Sequence, residues 1–356
     1  MTWIVTGGAG YIGAHVVRRM RAYGLDVLVF DDLSSGRAER LPGGVELVRG
    51  SITEPADVDG LFRGRRVTGV VHLAALKSVA ESITEPGRYQ SVNVDGMKIL
   101  LYAMRESGVR RMVFASSSAV YGPPAGDVVT ERSKINPGSP YGRSKLDGER
   151  LITEYGVRSV VLRQFNVVGA GPYRHAADTG TALLPTVVRA LTPYGKPVLI
   201  LGNAHATPDG TAVRDYVHVE DVERAYLAAI EHLARGSGAA QLIVNVGTGT
   251  GRSVRQVLEA VGAVAGRAVP FETGGPRAGD LPRVVAATGR AARRLHWKAE
   301  RTFDEAVRSA VDQLPDLGAT GRDALQRHRH RDVVDGPLDQ AGVGQIGPAG
   351  VADQHE

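Results

Sequence analysis

The chain has 356 residues, 43% of them hydrophobic, which is enough for a sizeable core and speaks against global disorder. It contains no cysteine, which excludes disulfides, thiolate metal sites and cysteine nucleophiles and suits a reducing cytoplasm. The net charge of +5 is spread along the chain rather than gathered into a stripe. It therefore points to a weakly basic enzyme that holds anionic small molecules, not to a nucleic-acid binder.

The opening residues Met1-Thr2-Trp3-Ile4-Val5-Thr6 already read as a strand, so no leader peptide is expected, and no apolar run approaches the roughly 20 residues of a membrane helix. Strands are expected at residues 3–6, 27–30, 45–48, 67–72, 111–115 and 159–163, and helices at 11–23, 94–107 and 141–155. This alternation predicts an α/β fold, a doubly wound parallel sheet with right-handed crossovers and ligands at the carboxyl ends of its strands. Residues 1–168 are expected to form that domain. Beyond Gly169 glycine and proline become frequent, and helices are expected at 184–191, 222–233 and 254–264. Residues 169–313 thus read as a smaller C-terminal substrate-binding lobe, with segments 219–225 and 245–247 able to return to the first domain. The apolar period ends near Asp316, so residues 314–356 are expected to be a poorly ordered tail. His328-Arg329-His330 within it reads as surface rather than a metal site.

Gly7-Gly8-Ala9-Gly10-Tyr11-Ile12-Gly13 lies between the first strand and the first helix. Gly7, Gly10 and Gly13 allow a sharp turn and close approach to a pyrophosphate, which then faces the helix N-terminus. Asp31, with Asp32 beside it, ends the next strand. A carboxylate there accepts hydrogen bonds from ribose hydroxyls and repels the extra phosphate of NADP, so NAD is favoured; Arg37 is the nearby residue that could accommodate such a phosphate. The bland alternative is that the two Asp open a turn.

Tyr141-Gly142-Arg143-Ser144-Lys145 places a phenol and an ammonium four residues apart, on one face of the expected helix. A neighbouring cation stabilises a phenolate and lowers its pKa toward the working range of a base. Alone the pair could be an exposed helix pair. Upstream, however, Phe114-Ala115-Ser116-Ser117-Ser118 brings hydroxyls to a strand end, where one can hydrogen-bond a reacting alcohol beside the tyrosine.

With these motifs in this order the sequence resembles the extended short-chain dehydrogenase/reductases, and within them the UDP-galactose 4-epimerases. The resemblance runs from Met1 to about Gln313. It is supported by Val71-His72-Leu73-Ala74-Ala75-Leu76-Lys77, Asn93-Val94-Asp95-Gly96, Leu162-Arg163-Gln164-Phe165-Asn166, the segment 209–219 around Arg214, and Arg277-Ala278-Gly279-Asp280-Leu281-Pro282. The resemblance implies a Rossmann-like domain, a tightly held NAD and a homodimer packed through the helices near residues 97–107 and 141–155. It implies Ser117 as the catalytic hydroxyl, Tyr141 as the base and Lys145 as its electrostatic partner and ribose contact. Tyr11, Ile12, Ser51, Ile52, Leu73, Ala74, Ala75, Lys77, Asn93 and Phe165 would join Gly7, Gly10, Gly13, Asp31 and Asp32 around the cofactor. Lys77, Ser117, Tyr141, Asn166, Leu183 and Val284 would meet the UDP-sugar, Arg214 and Arg277 its diphosphate, and Asp280 its uridine ribose. The implied reaction is removal of the O4 proton by Tyr141 with hydride transfer from C4 to NAD, rotation of the 4-keto sugar, and return of the hydride to the other face.

Four positions depart from the family pattern. Ser51 stands where an Asp usually approaches the adenine, Gln164 where an aromatic lies beside the nicotinamide, and Ala182 where an Asn or His contacts UDP. Val284 stands where a large aromatic narrows the sugar pocket in some members, so N-acetylated UDP-hexoses are expected to fit. A dehydratase would need an acid–base pair after the catalytic hydroxyl; Ser118 and Ala119 cannot supply it. A net reductase would consume NADH, and an inactive dinucleotide-binding regulator would typically have lost Tyr141 or Lys145.

Overall fold

Runs of apolar residues, broken by turns, build a sheet with both faces covered. The computed structural model describes residues 2–313 apart from 124–125, 127, 174–176, 178–179, 181, 237–239 and 277–280; the expected tail lies outside the described residues. The strands of the main sheet are β1 (Thr2–Thr6), β2 (Asp26–Asp31), β3 (Glu46–Arg49), β4 (Val67–His72), β5 (Arg111–Ser117), β6 (Arg158–Gln164) and β7 (Gln241–Val246). All are parallel, in the order β7-β6-β5-β4-β1-β2-β3. The chain winds outward from β1 in one direction and from β4 in the other. The strand order therefore reverses between β1 and β4, and the loops leaving these two strands part to form a crevice.

Side chains alternate between the two faces. On one, Val5, Val71, Val113, Leu162 and Val244 pack against Val16, Val17 and Met20 of α1 (Tyr11–Ala22) and Val222, Tyr226 and Ala229 of the long helix Val219–Ala234. On the other, Ile4, Val70, Met112, Phe114 and Val161 meet Met97, Leu100, Leu101 and Met104 of α2 (Gly96–Glu106) and Ile152 of α3 (Pro140–Glu154). The helix Val219–Ala234 is labelled α4 below. The segment expected as one helix from residue 94 begins instead as a π-helical turn, Gln90–Asp95, that runs into α2.

Beyond Gln164 the sequence reading expected helices and loops, but the structure adds short strands. Val213–His218 pairs with Asn166–Val168, Gly251–Ser253 and Arg283–Ala286, and the last of these pairs with Val128–Val129. A separate parallel pair joins Val198–Leu201 to Phe271–Gly274. Apart from Val213–His218 these strands have only two to four residues and stand among frequent Gly and Pro, so they show no apolar period of their own and pattern reading passes over them.

Candidate functional site

The glycine loop leaves β1 and enters α1 at the crevice. Gly10 caps α1 without a side-chain hydrogen bond, and no acidic residue stands in the first turn, so the helix presents backbone N–H groups and a positive dipole end to an anion. A Cβ on Gly13 would lie 2.1 Å from the Gly7 carbonyl oxygen, so only glycine lets the helix start this close to the strand end. Gly7 in turn packs on the loop after β4, where Leu73 N–H donates to Thr6 O at 3.0 Å and Ala74 N–H to Thr6 Oγ1 at 3.4 Å.

Asp31, 7% exposed, accepts from Ala9 N–H at 2.9 Å and Leu33 N–H at 2.9 Å, which ties the glycine loop to the end of β2. Burial raises its carboxyl above the usual range, and the two N–H donors pull it back. Asp32 instead accepts from Ser34 N–H and the Ser34 hydroxyl, the turn that the bland reading described. Ser51 pairs its hydroxyl with Thr53 and donates its N–H to Asp57, while Ile52 is buried against the α2 side of the core. The Tyr11 hydroxyl donates to the Gly169 carbonyl at 2.7 Å; Ile12 is half-buried, and Lys77 is exposed on the loop after β4. Asn93 accepts from Leu76 N–H at 2.8 Å and donates to Leu76 O at 3.0 Å and to Ser144 Oγ at 2.9 Å. It holds the Leu73–Ala74–Ala75–Leu76 loop against α3.

The Tyr141–Lys145 segment is the first turn of α3, capped by Ser139, whose hydroxyl accepts from Gly142 N–H, with Pro140 at the first helical position. A Cβ on Gly142 would come within 2.5 Å of Ala119 O. The missing side chain lets α3 start against the turn Ser118–Val120 that follows β5, and this contact brings Tyr141 to Ser117. Burial pushes the Tyr141 phenol up, and a hydrogen bond from Ser117 pulls it back. Lys145 is 5% exposed, its ammonium 5.2 Å from the centroid of the Phe114 ring, and burial pulls it down to about 8. Phe114 is also stacked on His72, which burial and Lys145 hold neutral, its pKa down at about 3.

Beneath these residues lies a buried polar network that sequence reading missed. Glu149 accepts from Arg163 Nε at 2.9 Å and Nη2 at 2.6 Å, and from the Ser116 hydroxyl at 2.5 Å. Glu149 stands one helical turn after Lys145, but only the packing of α3 on β5 and β6 reveals its partners. Gln164 Nε2 donates to the Tyr226 hydroxyl oxygen, a contact with no local sequence signal.

On the substrate side Asn166 is exposed, Leu183 half-buried, and Arg214 donates to the Val213 and Leu281 carbonyls at 2.9 and 2.7 Å. Arg214 stands in register with Val284, which is 7% exposed and packs with Phe165, Val120 and Leu146. Arg277 and Asp280 lie outside the described residues.

Residues 3–247 match the model of the NAD dependent epimerase/dehydratase family. A UDP-glucose 4-epimerase of Azospirillum brasilense is 40% identical over 317 residues, spanning 86% of this chain and 90% of its own length. Among solved structures, the UDP-glucose 4-epimerase of Brucella ovis in complex with NAD superposes with a TM-score of 0.82 at 35% identity, covering 87% of this chain and 97% of its own. The Bifidobacterium longum UDP-glucose 4-epimerase in complex with NAD+ and UDP gives 0.82 at 30% identity, covering 88% and 98%.

Proposed function

The chain belongs to the NAD dependent epimerase/dehydratase family, and from that premise we propose that it inverts carbon 4 of a UDP-hexose with NAD as a retained cofactor. The observation that carries this reading is the start of α3 against the turn that follows β5, which sets Tyr141 near Ser117 with Lys145 one turn along the helix, at the strand ends beside an anion-accepting glycine loop. The uncapped N-terminus of α1 and the buried carboxylate of Asp31 suit a dinucleotide's pyrophosphate and ribose. Residues 1–168, with the returning segments, would hold the cofactor, and 169–313 the UDP-sugar.

Bound NAD would supply a hydride acceptor and donor at C4. Tyr141 takes the O4 proton, and Ser117 hydrogen-bonds the same oxygen as alcohol and carbonyl interchange. Lys145 would hold the cofactor's ribose, and its positive charge favours the ionised phenol. After the 4-keto sugar turns over, Tyr141 returns the proton to O4. Arg214, with Arg277, would hold the diphosphate about which the sugar rotates, and Asp280 the uridine ribose.

Val284 is a small side chain in register with Arg214, and we place the C2 substituent near it. N-acetylated UDP-hexoses are then accepted along with, or in place of, UDP-glucose and UDP-galactose. Val284→Tyr should selectively lose the N-acetylated pair; unchanged selectivity in chromatographic turnover assays would remove Val284 from this role. A homodimer through α2 and α3 completes the proposal; Tyr102 on α2 is 50% exposed, and light scattering reads the assembly directly. A cytoplasmic location fits the cysteine-free sequence, and no helix among the described residues is long and apolar enough to cross a membrane.

The deciding experiment incubates purified protein, without added cofactor, with UDP-glucose, UDP-galactose and their N-acetylated counterparts separately, and resolves the products. Interconversion of a C4 pair is expected. No conversion of any, even with NAD+ supplied, would refute the assignment.

A further inference from the structure

A buried tyrosine that the reaction above does not employ touches Tyr141 itself. Tyr89 closes the short helix Pro86–Tyr89, and the chain then widens into the π-helical turn Gln90–Asp95; such turns are rare and gather at functional sites. Tyr89 is fully buried, and its ring meets that of Tyr141 edge-on, with centroids 6.4 Å apart and planes at 83°, within the usual range of edge-to-face pairs. Its other end is polar. The hydroxyl oxygen accepts from Ser78 N–H at 2.9 Å, and the hydroxyl donates to Glu81 Oε2 at 3.0 Å. Glu81 is in turn paired with Arg88, the residue before Tyr89. Across the π-helical turn, Asn93 takes both the N–H and the carbonyl of Leu76 and donates to Ser144 Oγ, which donates to Tyr141 O. Tyr89 and Asn93 thus hold the backbone on both sides of Lys77, and both also touch the first turn of α3. Packing asks only for a ring at this position. A phenylalanine would fill the same space, whereas the hydroxyl brings a polar group into the interior to hold a half-buried loop that water could reach.

We propose that Tyr89 is a positioning residue for the reaction: its ring sets the ring of Tyr141 and its hydroxyl fixes the backbone beside Lys77, so that one side chain ties the base to the loop that carries the lysine. This rests on the reading of Tyr141 as the base and of Lys77 as a contact of cofactor and sugar. Lys77 is exposed on the loop after β4. A lysine ammonium stands at the end of a flexible four-carbon stem, so its reach is defined only where its Cα is. Asn93 fixes the residue before it and Tyr89 the residue after it. With the Ser78 tether cut, the chain between Leu76 and the helix Val79–Thr84 is free to turn. The glycine loop, tied to Asp31, is not affected. Burial and the Glu81 carboxylate push the Tyr89 phenol up to about 12. It therefore stays protonated at neutral pH and acts as a fixed brace, not as a titrating group.

The test uses Tyr89→Phe, which keeps the ring against Tyr141 and removes the hydroxyl. Hydrogen exchange on the holoenzyme, read by mass spectrometry on peptides covering residues 76–82, should speed up by about tenfold, the loss of roughly one hydrogen bond. Over the same time α1 should keep its protection, and the NAD content should not change. kcat should fall about tenfold, because small displacements of a group at the reaction are costly. Lys77→Ala supplies the control. If the hydroxyl acts through Lys77, adding Tyr89→Phe to Lys77→Ala lowers kcat by less than about twofold further. Unchanged exchange over residues 76–82, or losses that simply multiply in the double variant, overturns the proposal. If Tyr89→Phe does not fold, Glu81→Ala, which takes away the acceptor of the hydroxyl, is read in the same two ways. The exchange needs no substrate, so a parent protein that converts no UDP-hexose would sink the functional reading and leave the exchange result to decide the brace by itself.

Discussion

Replacing Glu149 by Gln removes the charge that Arg163 needs. The two side chains are 4% and 2% exposed, so the guanidinium would stay buried with a neutral amide in place of a carboxylate that takes two of its N–H groups. Breaking a buried pair from one side costs about 3–5 kcal/mol, largely through the stranded charge. Unfolding entropy of about 2.1 cal/mol/K per residue, applied to the compact unit Met1–Pro315, converts each kcal/mol into roughly 1.5 °C. Tm should therefore fall by about 5–8 °C. The Ser116 hydroxyl loses its charged acceptor too, and Ser116 precedes Ser117 on β5. A displacement near 1 Å at a reacting group costs on the order of 100-fold, so kcat should drop about 10–100-fold at temperatures well below unfolding, with little change in KM. The double variant Glu149→Gln/Arg163→Met removes both charges and should be more stable than Glu149→Gln alone. Calorimetry and steady-state kinetics on the four proteins give the cycle. Single variants within about 1 kcal/mol of the parent, or strictly additive effects, would refute the view that this pair anchors α3 to the strands that carry Ser117.

Gly13→Ala must push a Cβ away from the Gly7 carbonyl oxygen 2.1 Å distant. Such overpacking costs about 1–3 kcal/mol and opens the loop, so the purified variant should lose its retained NAD, read from its ultraviolet spectrum. Full cofactor content would count against the site. Acid should destabilise the fold from below pH 6.5: burial holds His15 down to about 4 and His72 to about 3. Both folded values lie below the unfolded one, so the stabilisation is complete above pH 6.5 and is lost as pH falls through about 4 and then 3. For His15 the reason is visible, since its Nε2 accepts from Gly171 N–H at 3.0 Å, a bond that protonation destroys. A fall from 6.5 to about 4 is worth on the order of 3 kcal/mol. A urea midpoint that stays flat between pH 6.5 and 4 would contradict it.

Much of the main sheet was legible in the sequence because strands buried on both faces leave continuous apolar runs, such as Val27–Leu28–Val29–Phe30 and Val70–Val71. The glycine loop and Tyr141–Lys145 were legible because each lies within a few residues of chain, where turn geometry and helical spacing act directly. The short strands Val128–Val129, Asn166–Val168 and Arg283–Ala286 were not, since nothing local distinguishes them from loop until partners 50 to 157 residues away complete their hydrogen bonds.

The sequence by itself therefore determined a parallel sheet, the chain order of its first six strands and the candidate residues for chemistry, because periodicity and motif spacing are local properties. Only the tertiary structure decided which side chains share an environment. Asp31 became a buried acceptor for the glycine loop while its neighbour Asp32 remained in a turn. Asn93 proved to hold a loop with both ends of its amide. Glu149 met Arg163, and Gln164 met Tyr226 across 62 residues. Such pairings arise when distant segments are pressed together in a medium without water, where each polar group must find a partner or raise the free energy of the fold.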